Sequence, residues 1–237
     1  MEIVNTGERI LLNKETAFTV ARHFCAYKLA GNYICGKSVL DFGCGEGYGS
    51  HYLAGLAKKV TAVDRDREII AYASDKYQKD NIAFITFDSA RLDSLGDKFD
   101  VICSFQVIEH ISDTDAFLKN IANLLNPEGV FICSTLNKLD SSPHSDTPIN
   151  KFHVREYLFS DFESMLKQYF RKVEIFGLKR GKTLNFYRRL KKIGVFRFLP
   201  DSINPVSRFY RKIKPDNFII VKDKFDTAMD FIAVCEK

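Results

Sequence analysis

The chain has 237 residues, 46% of them hydrophobic, with a formal net charge of +5, enough for one large domain or one domain carrying an insertion. No apolar run approaches the ~18 residues of a membrane span, and residues 1–5 lack the basic and apolar character of a signal peptide. Six cysteines without a CxxC pair, among them Cys103, Cys133 and Cys235 in apolar strand-like runs, read as buried thiols of a reducing cytoplasm rather than a disulfide framework.

The first predicted element is an amphipathic helix over 15–30, with Phe18, Arg22, Cys25, Ala26 and Leu29 near helical spacing and Gly31 able to end it. It is expected to cap the sheet rather than cover a ligand. The next apolar run, 38–41, stops at Asp41 and breaks into glycines at every second position: Gly43, Gly45, Gly47 and Gly49. From there strands at 38–41, 60–64, 82–88, 99–105 and 129–135 alternate with helices at 50–58, 66–77 and 113–125. That alternation predicts parallel strands joined by right-handed crossovers. Asn126-Pro127-Glu128-Gly129 reads as a stop and a turn. Ser160 to Glu163 reads as a capping box opening a helix to about 169, and 172–178 and 230–236 supply two more strands, seven in all. The expected fold is therefore α/β, a Rossmann-like doubly wound seven-stranded sheet, with a basic insertion between the last two strands.

That insertion carries the charge asymmetry. Of 35 Lys/Arg and 30 Asp/Glu in the chain, 14 and 3 fall in 179–224, leaving 21 basic against 27 acidic residues elsewhere. Phe186, Leu190 and Ile193 share one face of a possible helix there, and Arg188, Arg189, Lys191 and Lys192 crowd elsewhere on it. The expected division is a core of 1–178 and 225–237 and an acceptor-binding lid of 179–224.

In an open parallel sheet, ligands bind beyond the carboxyl ends of the strands. Polar groups recur at those ends: Asp41 and the glycine loop, Asp64 and Arg65, Asp88-Ser89-Ala90, then Ser104-Phe105-Gln106 leading to Glu109 and His110. Asp64 follows Gly43 by 21 residues, where an acid that binds ribose hydroxyls falls in dinucleotide folds. Yet G-C-G-E-G-Y-G is not the dinucleotide fingerprint, and Asp41 and Glu46 would repel a pyrophosphate. They suit a ligand with an adenosine at one end and positive charge at the other.

On these residues the chain resembles the class I methyltransferases that use S-adenosylmethionine, whose first motif is hydrophobic-D-x-G-x-G-x-G and whose seventh strand runs antiparallel. The resemblance spans about 38–178 plus the last strand. It implies that Asp41 orients the methionine ammonium, directly or through water, with backbone contacts from Gly43, Cys44 and Gly45 and the loop continuing through Gly47. Asp64 would bind both ribose hydroxyls and Arg65 flank the adenine. Asp88 would accept from the adenine amino group, with the Ser89 and Ala90 backbone against the ring, and Phe105 and Gln106 at the methionine end. S-F-Q-V-I-E-H-I, S-T-L-N-K and N-K-F-H-V-R-E-Y look like methyltransferases associated with bacterial glycan biosynthesis, and the E-H pair is similar to the ubiquinone-pathway O-methyltransferases. No Asn/Asp-Pro-Pro-Tyr follows the fourth strand, so the signature of exocyclic-amine DNA methylation is missing.

These features predict O-methylation of a sugar or related small acceptor, with S-adenosylhomocysteine as product. His110 is the first candidate base, His153 the second, and Glu109 could orient the imidazole. Small-RNA 2′-O-methyltransferases place E-x-x-E-H here around a divalent cation. Gln106 and Asn150 stand where a Glu and a His would fall, so the expectation is no resident metal, although Glu109, His110, His144 and His153 are the groups that could gather one. The insertion suits a nucleotide-diphosphate sugar, a phosphorylated glycan or an anionic membrane carrying a lipid-linked saccharide, which would leave the chain cytoplasmic with contact at the inner membrane surface open to it. Its basic and aromatic residues (Tyr187, Phe196 and Phe198 besides Phe186) also fit RNA, the basis of a rival reading as an RNA methyltransferase. A second rival is a non-catalytic protein that only binds the donor.

Overall fold

The computed structural model describes residues 9–88 and 95–237. Its strands are β1 Ser38–Phe42, β2 Lys59–Asp64, β3 Ile82–Thr86, β4 Phe99–Phe105, β5 Leu125–Leu136, β6 Lys172–Arg180, β7 Phe218–Val221 and β8 Asp230–Glu236. The helices are α1 Ala17–Ala30, α2 Tyr48–Leu53, α3 Arg67–Lys76, α4 Thr114–Leu124, α5 Lys138–Ser141, α6 Phe159–Leu166, α7 Lys182–Ile193 and α8 Pro205–Tyr210. No helix among the described residues is long and apolar enough to cross a membrane.

The strands form one sheet in the order β3-β2-β1-β4-β5-β8-β6-β7. β1 to β5 pair in parallel, and β8 runs antiparallel to both β5 and β6. The order reverses between β1 and β4, where an open α/β sheet leaves a crevice for a ligand. Alternate side chains feed two cores. Leu40, Phe42 and Ile102 pack with α4 and α6 residues such as Leu118 and Phe162 on one face, and Val39, Val60 and Val101 with Leu29, Leu53 and Ile69 on the other.

The sheet has eight strands rather than the seven expected. The additional one, β7, lies inside the segment read as an insertion and pairs antiparallel with β6. It extends the sheet because Phe218 inserts between α1 and β6, in a third core with Ala21, Cys25, Leu178, Leu184 and Ile213. Segment 179–224 thus shares packing with the first helix.

Three local expectations shift. The helix expected over 50–58 ends at Leu53, and the Asn81 amide donates to the Ala54 carbonyl, which a longer helix would have used, and to that of Ala57. The capping box at Ser160 does not form. α6 begins two residues earlier, with Leu158 at the cap and no side-chain cap, as Phe159 stacks on Phe225 with ring centroids 4.1 Å apart. β5 starts at Leu125 and keeps the predicted turn as an irregularity, with Glu128 at φ 61° and the register slipping between Phe99 and Val101. All six cysteines are free, five of them buried.

Candidate functional site

The carboxyl ends of β1, β2 and β4 open onto a cavity of about 610 Å³, whose wall includes Gly43, Cys44, Gly45, Asp64, Gln106 and His110. That volume lies within the few hundred to ~1,000 Å³ usual for small-molecule sites. A larger groove, about 970 Å³, runs between α1 and α8. It contains neither the glycine loop nor any acid that ends a strand, so chemistry rather than size assigns the site.

The loop after β1 folds back over the end of β2. The amides of Gly43 and Cys44 both donate to the Val63 carbonyl, at 2.8 and 3.0 Å. Gly45 has φ 53°, and a Cβ there would meet nothing within 4 Å among the described residues. A side chain at that point would project into open space beside the cavity, and the left-handed backbone favours glycine in any case. Gly49 serves packing instead, since its Cβ would fall 2.0 Å from the Tyr27 ring. Gly47 packs against Phe84 and Ala73 and is not part of the cavity wall.

Asp64 reaches the cavity with both carboxylate oxygens partly engaged: Oδ2 accepts the Gly45 N–H and Oδ1 the Asp66 N–H, each at 3.0 Å. A carboxylate oxygen can accept twice, so each retains capacity for a hydroxyl. Glu46 is buried in the wall, holding Leu12 N–H at 3.1 Å and the Lys76 ammonium at 3.1 Å. Asp41 is also buried but does not reach the wall. It accepts from the Ser50 hydroxyl at 2.6 Å and the Tyr27 phenol at 3.3 Å, and burial pushes its carboxyl up to about 7. A ligand ammonium would therefore reach Asp41 only through an intermediary, the indirect form of the expected contact.

Arg65, Phe105 and Gln106 line the cavity as anticipated. Gln106 holds φ 56°, a left-handed conformation outside glycine, fixed by its N–H donating to Ser134 O at 3.0 Å. Such strain concentrates at functional positions. Asp88 is exposed and lies outside the wall. Ser89 and Ala90 lie outside the described residues.

Several wall residues escaped the sequence reading, Phe87 and His23 among them. Phe87 follows β3 directly, and the apolar run 82–88 could have suggested it. His23 comes from α1, and only tertiary packing reveals it. Burial pushes the His23 imidazole down to about 4, so it is neutral at pH 7, with its ring nitrogens against the Tyr48 hydroxyl and the Phe105 carbonyl. α1 thus both caps the sheet and walls the cavity.

Of the candidate catalytic residues, His110 alone faces the cavity. Its Nδ1 lies 2.8 Å from the Phe152 carbonyl, an acceptor, which assigns the proton of the neutral ring to Nδ1 and the basic lone pair to Nε2. His153 stands behind it, edge-on at 5.0 Å, with Nδ1 on Glu156 at 2.8 Å and Nε2 on Asn150 at 2.9 Å. Glu109 is buried, with Oε2 accepting from Thr135 at 3.2 Å and Oε1 without a hydrogen-bond partner among the described residues. Burial pushes its carboxyl up to about 8. Its main-chain carbonyl accepts from Val154 and Arg155, tying the 150–155 loop to the end of β4.

Glu109, His110 and His153 each offer a ligand atom within 4.8 Å of the others, the one such group that could hold a metal among the described residues. Both His153 nitrogens are already paired, so ligation would break a hydrogen bond. Arg188, Arg189, Lys191 and Lys192 of the basic segment do not line the cavity.

The arrangement fits an adenosyl sulfonium donor. Gly45 leaves room, Asp64 retains acceptor capacity, three acids (Glu46, Asp64 and Asp113) sit in the wall and its α1 histidine is neutral.

A family model described as "Methyltransferase domain" matches residues 18–179. A protein of Mycolicibacterium smegmatis named "Probable S-adenosylmethionine-dependent methyltransferase" is 35% identical over 163 residues, 68% of this chain and 63% of its own length. A "Ubiquinone biosynthesis O-methyltransferase" of Bradyrhizobium diazoefficiens is 34% identical over 109 residues, 45% of this chain and 43% of its own. The chain thus spans less than two thirds of the curated relatives it matches. Among solved structures, N-methyltransferase NodS from Bradyrhizobium japonicum, in complex with S-adenosyl-L-homocysteine, superposes with a TM-score of 0.62 at 15% identity, covering 94% of this chain and 89% of its own. At that identity the likeness is one of fold.

Proposed function

The chain belongs to the methyltransferase-domain family, whose donor is S-adenosylmethionine, and from that premise we propose that it methylates a hydroxyl oxygen of a saccharide or related small molecule, with His110 as general base. The observation that supports this reading is the Nδ1–H of His110 donating to Phe152 O, which makes Nε2 the basic nitrogen of a cavity-lining imidazole.

The donor, when bound, supplies an electrophilic methyl group on a sulfonium. Asp64, Gly45 and Arg65 are the residues that would hold it, through its ribose hydroxyls and adenine. The hydroxyl of a sugar is a poor nucleophile until its proton begins to leave, and His110 Nε2 takes that proton. Phe152, held in place by the hydrogen bonds of Val154 and Arg155 to Glu109, keeps the ring from rotating out of line. Placing the hydroxyl in line is the larger part of the work. Neighbours named as ubiquinone O-methyltransferases support oxygen as the accepting atom and make phenols the second acceptor class to try.

The test supplies S-[methyl-³H]adenosylmethionine with nucleotide-sugars, lipid-linked saccharides, catechols and RNA. Label on a saccharide hydroxyl, lost about 10²-fold or more in His110→Ala while S-adenosylhomocysteine affinity holds, is the expected result. Label in RNA alone supports the RNA methyltransferase, and donor binding without transfer to any acceptor supports the non-catalytic reading. Either overturns the proposal.

A further inference from the structure

From α7 and the loop that follows it, we infer that segment 182–203 is a docking surface for an anionic lipid bilayer. At about 3.6 residues per turn, Leu184, Tyr187 and Lys191 occupy one side of α7 and Phe186 and Ile193 another, with the half-buried Leu190 between them. The first side is committed: Leu184 is buried, Tyr187 stacks on Phe209 at 4.0 Å, and Lys191 sits over the Tyr210 ring. The second faces solvent, with Phe186 57% and Ile193 72% exposed.

The loop continues that surface. Gly194 ends the helix at φ 74°, and Val195, Phe198, Leu199 and Ile203 are all exposed, Phe198 at 83%. The loop is held in this shape. The Asn204 side chain donates to Phe196 O at 2.8 Å while accepting from Val206 and Ser207, and the Arg197 guanidinium lies over the Phe198 ring at 4.8 Å. An exposed apolar patch of this kind marks an interaction surface rather than ordinary scatter.

Charge selects the occupant. Lys182, Arg188, Arg189, Lys192 and Arg197 share the segment with the patch, all exposed, and Asp201 is the one acidic residue between 182 and 203. A second copy docked on the same surface would set these cations against their own counterparts. Single-stranded RNA takes aromatic platforms, but Ile193, Val195, Leu199 and Ile203 have no ring on which a base can stack. A helix with apolar residues on one face and cations beside them, sitting in the interface of a negatively charged membrane, satisfies both features.

The experiment is flotation of the full chain with vesicles of phosphatidylcholine alone or with one quarter phosphatidylglycerol, together with light scattering and RNA retention. Binding confined to the anionic vesicles, reduced roughly tenfold or more in Ile193→Asp/Phe198→Asp, is expected. Replacing Arg188, Arg189 and Lys192 with Gln should remove most of its salt dependence. The two apolar and three basic positions lie outside the donor cavity, so unchanged S-adenosylhomocysteine affinity shows that the variants fold. Absence of vesicle binding, binding indifferent to lipid charge, a dimer abolished by Ile193→Asp, or salt-sensitive RNA retention without vesicle binding each overturns the inference.

Discussion

Asp64 Oδ2 accepts the Gly45 N–H at 3.0 Å, so the acid that ends β2 and the loop that follows β1 fix one another. One substitution there removes the proposed ribose contact and a brace together. Asp64→Ala is expected to weaken S-adenosylhomocysteine binding about 10²-fold or more, the loss of two hydrogen bonds to a charged acceptor. Its melting temperature should fall only slightly, since Gly43 and Cys44 remain tied to Val63. Calorimetric titration checks this, and undiminished affinity would remove Asp64 from the donor site.

The glycines of the loop divide by what a methyl group would meet. Gly45→Ala places it in open space, so the expected result is a loss of donor affinity with a modest stability cost of about 1 kcal/mol from the left-handed backbone. Gly49→Ala drives it into the Tyr27 ring and should unfold or severely destabilise the protein, with α1 displaced. Equal damage to folding from both would contradict the division.

Gln106 pays for its place with a backbone at φ 56°. Gln106→Gly is expected to hold or raise the melting temperature while weakening donor or acceptor binding, because glycine adopts that conformation without strain. Gln106→Val, β-branched, should lower stability by roughly 1–3 kcal/mol. Thermal unfolding of the two variants side by side decides it.

The Glu109 carboxyl, raised by burial from its ordinary 4.5 to about 8, binds its proton more tightly in the native than in the unfolded chain. Its contribution is complete below the ordinary value and is lost as pH rises toward 8. Glu109→Gln, which keeps the shape but has no charge to bury, should therefore gain on the native protein as pH increases across that window. Asp41→Asn should do the same over the range ending near 7. A melting-temperature difference that does not grow with pH would refute both.

The strand ends were legible in the sequence because burial on both faces leaves apolar runs that stop where polar residues begin. Asp64 and Gln106 are found that way, and β4 and β8 fall on their predicted limits. Asp41 was legible as a residue but not as a position: nothing local distinguishes an acid on the wall from one beneath it, held by Ser50 and Tyr27. His23 required the docking of α1 across the sheet. β7 was hidden by its surroundings, since its four residues expose Ile219 and Ile220 and sit among prolines and lysines, where composition outweighed the short apolar run.

Arg22 grips Asp230 with two nitrogens, Nε at 2.7 Å and Nη2 at 2.6 Å, across 208 positions of sequence. His23, the next residue along, walls the cavity. α1 therefore takes one of its anchors from the strand that pairs between β5 and β6, besides its packing on β1 and α2. Cutting the Arg22–Asp230 pair would leave the glycine loop and Asp64 intact yet loosen the α1 side of the wall, so the cavity's shape depends on a strand far from it in sequence.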